Sequence, residues 1–465
     1  MVARMLGVES YGLLAFAYSL SLLCLVVPSF GFDSLTVREL ARKPSRASRF
    51  LVHISLVRWF FNLPMAGVCL LIVLLSSGNG ERLFIVLIVF LIMATQQHMQ
   101  FICSFFRAFQ EIRREILIRI LLAFLWLLTG ILVLFAGFGL GPFVSSRLAV
   151  SILCLGLAIF LLKKDFGIVI ERFRWRYAKV LIRTGTPLAL FHILSMSFNS
   201  LNLVILGLIK GDTDTGYYSA AEKIITLLFV IPVSLAWATF PLLSKQWPDS
   251  HETFLETYRK AIRYLLLLAI PISIGAFLFG EKVIVLLFGK GFLPSVILIK
   301  ILALSIVPFF ITQINNTALL SMDKQGIAIR GMILGLMVVL ISSLIFIPHL
   351  GPVGSALSWT ISTFAVLFFE LYVLFWSLYR KDTFLTFLRS AFAGCIMAFA
   401  ILLLDRFTTM LPILVSVPAL LYLGILILLR EIKVYEVMLV LILFRNICKY
   451  LIGKRYLFNK DSRDL

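Results

Sequence analysis

Charge is what this sequence has least of. Asp, Glu, Lys and Arg make up 14% of its 465 residues against 61% hydrophobic, where a soluble chain carries about a quarter charged. A mean hydropathy of +1.03 excludes a soluble fold, because a domain of this size still shows much of its chain to water. Acidic residues are the scarcer sign, 23 against 43 Lys plus Arg, for a formal net charge of +20. No hydrated segment is long enough to carry a basic nucleic-acid face, so nucleic acid is not an expected partner. The cysteines (Cys24, Cys69, Cys103, Cys154, Cys395 and Cys448) are too scattered for a zinc or redox motif. They read as small apolar packing residues. Gly-x-x-x-x-Gly-Lys-Ser/Thr, His-Glu-x-x-His and Gly-x-Ser-x-Gly are all absent, which removes P-loop ATP hydrolysis and two large hydrolase classes. Neither a cofactor nor a metal is expected.

What the chain has instead is long apolar runs. A hydrocarbon core of about 30 Å needs roughly 20 apolar residues as helix. Thirteen runs meet or approach that length: 11–31, 50–76, 83–106, 115–137, 142–162, 184–209, 216–244, 264–279, 294–320, 331–347, 354–378, 390–404 and 411–429. The expected fold class is an all-α polytopic membrane protein. One alternating set of connections, which includes 163–183 and everything from Arg430 onward, holds 33 Lys and Arg; the opposite set holds six. The other four, Arg58, Arg147, Lys223 and Lys300, fall inside spans. Lys and Arg collect in cytoplasmic loops, so the richer side is cytoplasmic.

The chain also repeats itself. Tyr11-Gly12 aligns with Thr215-Gly216 as a Gly-centred motif when Gly12 is set on Gly216, an offset of 204 that also pairs Pro28 with Pro232. Leu140-Gly141-Pro142 matches Leu350-Gly351-Pro352 at 210, and Ile118-Arg119 matches Ile329-Arg330 at 211. Two parallel six-helix repeats follow, related by an axis along the membrane normal, with a central cavity at their interface. Two extra helices come after them. The second half has a span, 184–209, ahead of Gly216, whose counterpart would end near residue 5; the repeat therefore predicts a first helix that this sequence lacks. The expected organisation is a first lobe at 1–162, a basic cytoplasmic linker at 163–183 and a second lobe at 184–378. Two further helices at 379–429 and a basic cytoplasmic tail at 430–465 complete it.

Three stretches carry a family likeness. Arg4-Met5-Leu6-Gly7-Val8-Glu9-Ser10-Tyr11-Gly12 resembles Arg-x-Leu-Gly-x-Glu-x-Tyr-Gly, and Phe30-Gly31-Phe32 leading to Val37-Arg38-Glu39-Leu40 resembles the end of the helix that follows it. Gly216-Tyr217-Tyr218-Ser219-Ala220-Ala221-Glu222-Lys223 resembles a Gly-x-Tyr-x-x-Ala-x-Lys signature. Together they resemble the Wzx-type polysaccharide flippases of the multidrug/oligosaccharidyl-lipid/polysaccharide exporter superfamily. The resemblance implies two six-helix lobes in a V and export of an undecaprenyl-diphosphate-linked oligosaccharide across the bacterial cytoplasmic membrane. It also implies a helix that continues through Arg38 toward a cavity mouth. One position departs: Asn202 stands where family members often carry Asp, which puts any coupling through that carboxylate in question.

Polar side chains in hydrocarbon cost free energy and mark candidate lining residues. His192, Ser195, Asn199 and Asn202 fall within an arc of about 80° on one helix, a stripe suited either to a hydrated cavity or to interhelical hydrogen bonds. Arg38, Arg58, Arg147 and Lys223 are the candidate diphosphate cations, and with His192, Asn199 and Asn202 they form the expected substrate-binding set. Glu222 and Glu370 are the candidate ion-coupling carboxylates. Thr95, Gln96, Gln97, His98 and Gln100, with Gln313, Asn315, Asn316 and Thr317 in the equivalent helix of the second half, add to a polar interior.

The leading expectation is a secondary flippase, not an enzyme, whose partners are a lipid-linked oligosaccharide, membrane lipids and other polysaccharide-assembly proteins. A multidrug or organic-cation antiporter of the same superfamily is the first alternative, and a membrane glycan polymerase or ligase the second. The latter calls for a sizeable outer loop, and the longest outer connection expected here is 280–293. The topology is directly testable. Alkaline phosphatase, active only after export, should be silent when fused after Lys164 and active when fused after Gly139; the opposite pattern would invert the assignment.

Overall fold

The computed structural model describes residues 2–76, 79–166, 172–378, 381–407 and 411–431. Within these, the side chains at 184–192, 195, 199, 375–378, 381–383, 407 and 411 lie outside the described set. The described residues form sixteen α-helices and no strand. In order they are α1 (Val2–Ser29), α2 (Phe32–Arg42), α3 (Ala47–Leu75), α4 (Gly80–Ala108), α5 (Ile112–Phe135), α6 (Leu140–Phe166), α7 (Trp175–Ile209) and α8 (Asp212–Leu228). Then come α9 (Val230–Asp249), α10 (His251–Leu287), α11 (Ser295–Ala303), α12 (Ile306–Ser321), α13 (Gln325–Leu350), α14 (Pro352–Leu378), α15 (Lys381–Phe407) and α16 (Leu411–Leu428). An all-helical answer follows from the solvent: in hydrocarbon every backbone group must find its partner within the segment.

The thirteen apolar runs all lie on these helices, and the excess of helices over runs has three local causes. Phe30 and Gly31 both adopt positive φ, 42° and 63°, and mark α2 off as a separate helix, but Val2–Arg42 still forms one span of 41 residues that continues through Arg38. The run at 216–244 is interrupted at Phe229, between α8 and α9, within one span, Asp212–Asp249, and the run at 294–320 bends by 44° between α11 and α12. The two shortest runs sit inside long helices, α10 of 37 residues and α15 of 27, because their charged ends extend past the apolar stretch. For the same reason the outer connection expected at 280–293 shrinks to residues 288–294. The basic connection at 163–183 is largely helix too, and Ala178 and Leu181 of α7 bury against the first half.

The repeat is visible in the backbone. Gly7 and Gly211, again 204 apart, both take positive φ (81° and 86°), a region glycine enters without the Cβ penalty. Each redirects the chain into its half's leading helix, α1 or α8. Five residues on, Gly12 and Gly216 bring those two helices into contact. A Cβ on Gly12 would lie 1.7 Å from the Asp212 carbonyl oxygen, and one on Gly216 would lie 2.3 Å from that of Val8. Lipid gives no hydrophobic drive for helices to associate, so such close packing by small residues is what holds them.

Because the two halves touch through α1, α7 and α8, they share one apolar cluster, whereas the cytoplasmic part of the first half has a cluster of its own. That second cluster is built on Phe32, Phe50, Phe101, Phe105 and Phe106. The halves meet where α1 crosses α8, and at the opposite end α7 stays on the first half: the Arg174 backbone N–H donates to His53 Nε2 at 2.9 Å and Tyr177 sits edge-on to His53. Helices α15 and α16 pack outside the second half, on α10, where Tyr422 Oη donates to the Leu267 carbonyl at 3.0 Å.

A side chain at Gly12 must push α1 off α8. Gly12→Leu is expected to cost about 1–3 kcal/mol as overpacking, read as a lower melting temperature in detergent. Gly67→Ala, where an added Cβ meets nothing within 4 Å, should leave the melt unchanged or slightly raised.

Candidate functional site

Where α1 crosses α8 the two halves are held together by a compact set of contacts. Arg82 of α4 reaches across to the second half, pairing with Asp212 at 3.2 Å and donating to the Gly207 carbonyl at 2.9 Å. Its guanidinium lies 4.5 Å above the Phe16 ring, and Phe16 in turn packs on Gly207. Arg4 donates to the carbonyls of Val285 and Leu286. Tyr11 sits edge-on to Phe288 and Phe292, with centroids 5.8 and 5.9 Å away. Among the described residues, the hydrogen bonds and ion pairs that join α1–α6 to α8–α14 are all around this crossing.

Lys223 lies on the face of α8 that meets the first half. It follows Gly216 by seven positions, nearly two turns, so it lies on the same face of α8, about 10 Å further along. Gly216 touches α1, and Lys223, on that face, is exposed. Glu222, one position earlier and about 100° round the helix, is half-buried. Leu227, Val230 and Trp237 continue the exposed stripe of Lys223 along α8 and α9.

Arg58 is placed differently. It is wholly buried in the first half, where Nη2 pairs with Asp33 Oδ1 at 2.7 Å and Nη1 donates to the Gln97 carbonyl at 2.9 Å. The Phe101 and Phe32 rings lie 4.9 and 5.8 Å from its guanidinium carbon. Its charge is spent on tying α2 and α4 to α3. Arg147, on α6, is half-buried against Phe143 and Trp126, 4.5 and 4.8 Å away, so it stacks within the first half. Arg38 is exposed on α2 and pairs with its neighbour Glu39 at 3.4 Å.

Asn202 is a correction to the reading of its stripe. It is buried, its Nδ2 donates to Tyr218 Oη and to the Ser355 carbonyl, each at 3.0 Å, and its Oδ1 accepts from Ser343 Oγ at 3.0 Å. The amide cross-links α7, α8, α13 and α14 and presents nothing to a cavity; the interhelical reading holds at this position. The side chains of His192 and Asn199 lie outside the described residues. Glu370 is buried on α14 and accepts from Asn315 Nδ2 at 2.9 Å, while Tyr258 Oη donates to Asn315 Oδ1 at 2.7 Å. In α4, Gln97 Nε2 donates to the Leu25 carbonyl at 2.9 Å and the buried His98 stacks on Trp59 at 4.9 Å.

A concavity lies within the second half, between α7, α9, α12, α13 and α14. Its volume is about 560 Å³, with Trp237 and Phe240 of α9 on one side and Phe309, Thr312, Gln313 and Asn316 of α12 on another. Among the described residues no group of three His, Cys, Asp or Glu could hold a metal ion.

A family model described as polysaccharide biosynthesis protein matches residues 1–297. The chain belongs to this family. Among curated relatives it is 25% identical over 171 residues, 36% of either chain, to a "Probable low-salt glycan biosynthesis flippase Agl15" of Haloferax volcanii. It is 23% identical over 221 residues to a "Putative O-antigen transporter" of Shigella flexneri, covering 47% of this chain and 52% of that one. The chain thus aligns with between a third and about half the length of these relatives. In fold it is similar to the lipid II flippase MurJ in an inward closed conformation, with TM-score 0.69, 14% identity and 94% of this chain and 98% of that one covered. It is also similar to a multidrug resistance MATE transporter in an inward-facing conformation, with TM-score 0.64, 16% identity and 83% and 92% covered. The polysaccharide biosynthesis family is therefore presented here on a fold shared with membrane transporters.

Sequence reading had missed Asp33, Arg82 and Asp212, because an ion pair between residues 25 or 130 positions apart leaves no spacing to find. The Arg58 pair has a clear signature in stability. Asp33→Asn strands a buried cation, so it should cost about 3 kcal/mol, and adding Arg58→Met should recover most of the loss. Equal melting of the single and double variants would show that the pair does not hold the lobe together.

Proposed function

We propose that the protein is a flippase that carries an undecaprenyl-diphosphate-linked oligosaccharide from the cytoplasmic to the outer leaflet of the bacterial cytoplasmic membrane. The product would feed a surface polysaccharide such as O-antigen, capsule or exopolysaccharide. The single observation that carries the reading is Lys223, an exposed cation on the face of α8 that Gly216 turns toward the first half; on this reading the space between the halves is a cleft that opens to the cytoplasm, where a lipid-linked glycan is built. Membership of a polysaccharide biosynthesis family and the printed names of the two curated relatives support the same class of cargo.

In this reading Lys223 attracts the diphosphate as a point charge, the lipid tail stays in the bilayer, and the two lobes rock about the α1–α8 contact. Opening the outer end requires Arg82 and Asp212 to part and the Tyr11–Phe288–Phe292 contacts to separate. Closing the inner end brings the first half toward Lys223. Arg147 supports the first half's wall from between Phe143 and Trp126, and Glu222 beside Lys223 is the carboxylate placed to exchange a coupling ion.

Charge reversal tests it in cells. Lys223→Glu should lower surface polymer by about ten-fold or more, in proportion to a lost charge-assisted contact, and lipid-linked single units should accumulate on the cytoplasmic face. Lys223→Arg should retain export. Full export by both Lys223→Glu and Arg147→Glu would refute the mechanism, and accumulation of unpolymerised units on the outer face would assign a different step.

A further inference from the structure

The cavity inside the second half is not needed to bind a diphosphate, and its chemistry differs from that of the cleft. Among the described residues its lining holds no charged side chain. One wall, on α9, offers the faces of Trp237 and Phe240; another, on α12, offers Phe309 together with Thr312, Gln313 and Asn316. Thr312 Oγ1 donates to the Phe309 carbonyl, so its oxygen keeps acceptor capacity. Gln313 contributes a planar amide with both donors and an acceptor. Next to Asn316, Asn315 is fixed from behind: it donates to the buried Glu370 and accepts from Tyr258, which holds this turn of α12 and with it the place of Asn316 in the lining.

We propose that this cavity is a subsite for one or two neutral sugar rings of the translocated glycan, with Gln313 and Asn316 reading hydroxyls and Trp237 stacking on a ring face. The inference rests on the flippase reading above and specifies where its cargo's carbohydrate lies. A volume of about 560 Å³ suits a small-molecule site, and aromatic walls with a few fixed polar groups are its usual lining. A sugar ring matches both walls, with an apolar C–H face for the aromatics and equatorial hydroxyls for the amides. A lipid tail would leave the amides of α12 unpaired, at a cost. An organic cation would want a carboxylate, and Glu370 is already engaged by Asn315. Trp237 is also on the stripe that runs from Lys223 along α8 and α9, so a glycan extending from a diphosphate at Lys223 toward the cytoplasm passes this opening. Glu370, through Asn315, is on this account a positioning residue for Asn316.

The test uses the full chain in proteoliposomes and two probes. One is the lipid-linked glycan extracted from cells that lack this protein; the other is the same lipid trimmed by exoglycosidases to its first sugar. Gln313→Ala and Trp237→Ala should each slow transport of the whole glycan about five-fold or more, the scale of one lost hydrogen bond or stacking contact, with the trimmed lipid moved at the wild-type rate. Glu370→Gln should raise the concentration of whole glycan needed for half-maximal transport while leaving the trimmed lipid unaffected. Equal slowing of both probes, or no slowing of either, overturns the subsite. If the wild-type protein moves neither probe, the flippase reading itself fails, and the subsite with it.

Discussion

Two helix backbones in van der Waals contact organise this protein. Where α1 crosses α8, Gly12 and Gly216 let a carbonyl of each helix sit where any Cβ would be. In a bilayer the apolar surfaces of helices gain nothing by leaving lipid for one another, so association depends on close packing and on polar contacts. The crossing is near the outer surface, and around it gather the Arg82–Asp212 pair, the Phe16–Gly207 contact and the aromatic cluster of Tyr11, Phe288 and Phe292. Lys223 shares a helix face with Gly216, and it is exposed.

Polar groups in the interior divide into those that hold helices and those left to meet a ligand. Asn202 spends its amide on three neighbouring helices, and Arg58 spends its charge on Asp33. Glu370 lies between these classes: it is buried, yet through Asn315 it holds the turn of α12 that places Asn316 in the lining of a cavity. Lys223 remains as the cation of the cleft. A basic excess of +20 therefore says more about orientation in the membrane than about cargo, since most of it lies in cytoplasmic connections.

Much of the architecture was legible in the sequence because its signals are one-dimensional. Apolar run length gave the spans, and the offset of 204 gave the pairing of Gly12 with Gly216 that proves to be a physical contact. Helix breaks were harder. Phe30 carries no sign that it will adopt a positive φ, and the breaks near Phe229 and Leu304 fall within unbroken apolar runs. Side-chain roles were hardest, since they depend on partners far along the chain. Asn202 in a polar stripe looks the same whether it faces water or, as here, Tyr218, Ser343 and Ser355. Arg58 likewise looks free until Asp33, 25 residues earlier, is folded beside it. Lys223 could be placed because its seven-residue spacing from Gly216 carries the geometry with it.

The central claim is that the outer junction of α1 with the second half is a gate, closed in this state and obliged to open for transport. Cysteines at Tyr11 and Phe288, whose rings lie 5.8 Å apart, in a chain with the six native cysteines replaced, test it through a reducible cross-link. The account predicts that the cross-link forms readily in the resting protein, that it stops lipid-linked glycan from reaching the outer leaflet, and that reduction restores transport. Undiminished transport by fully cross-linked protein would contradict it.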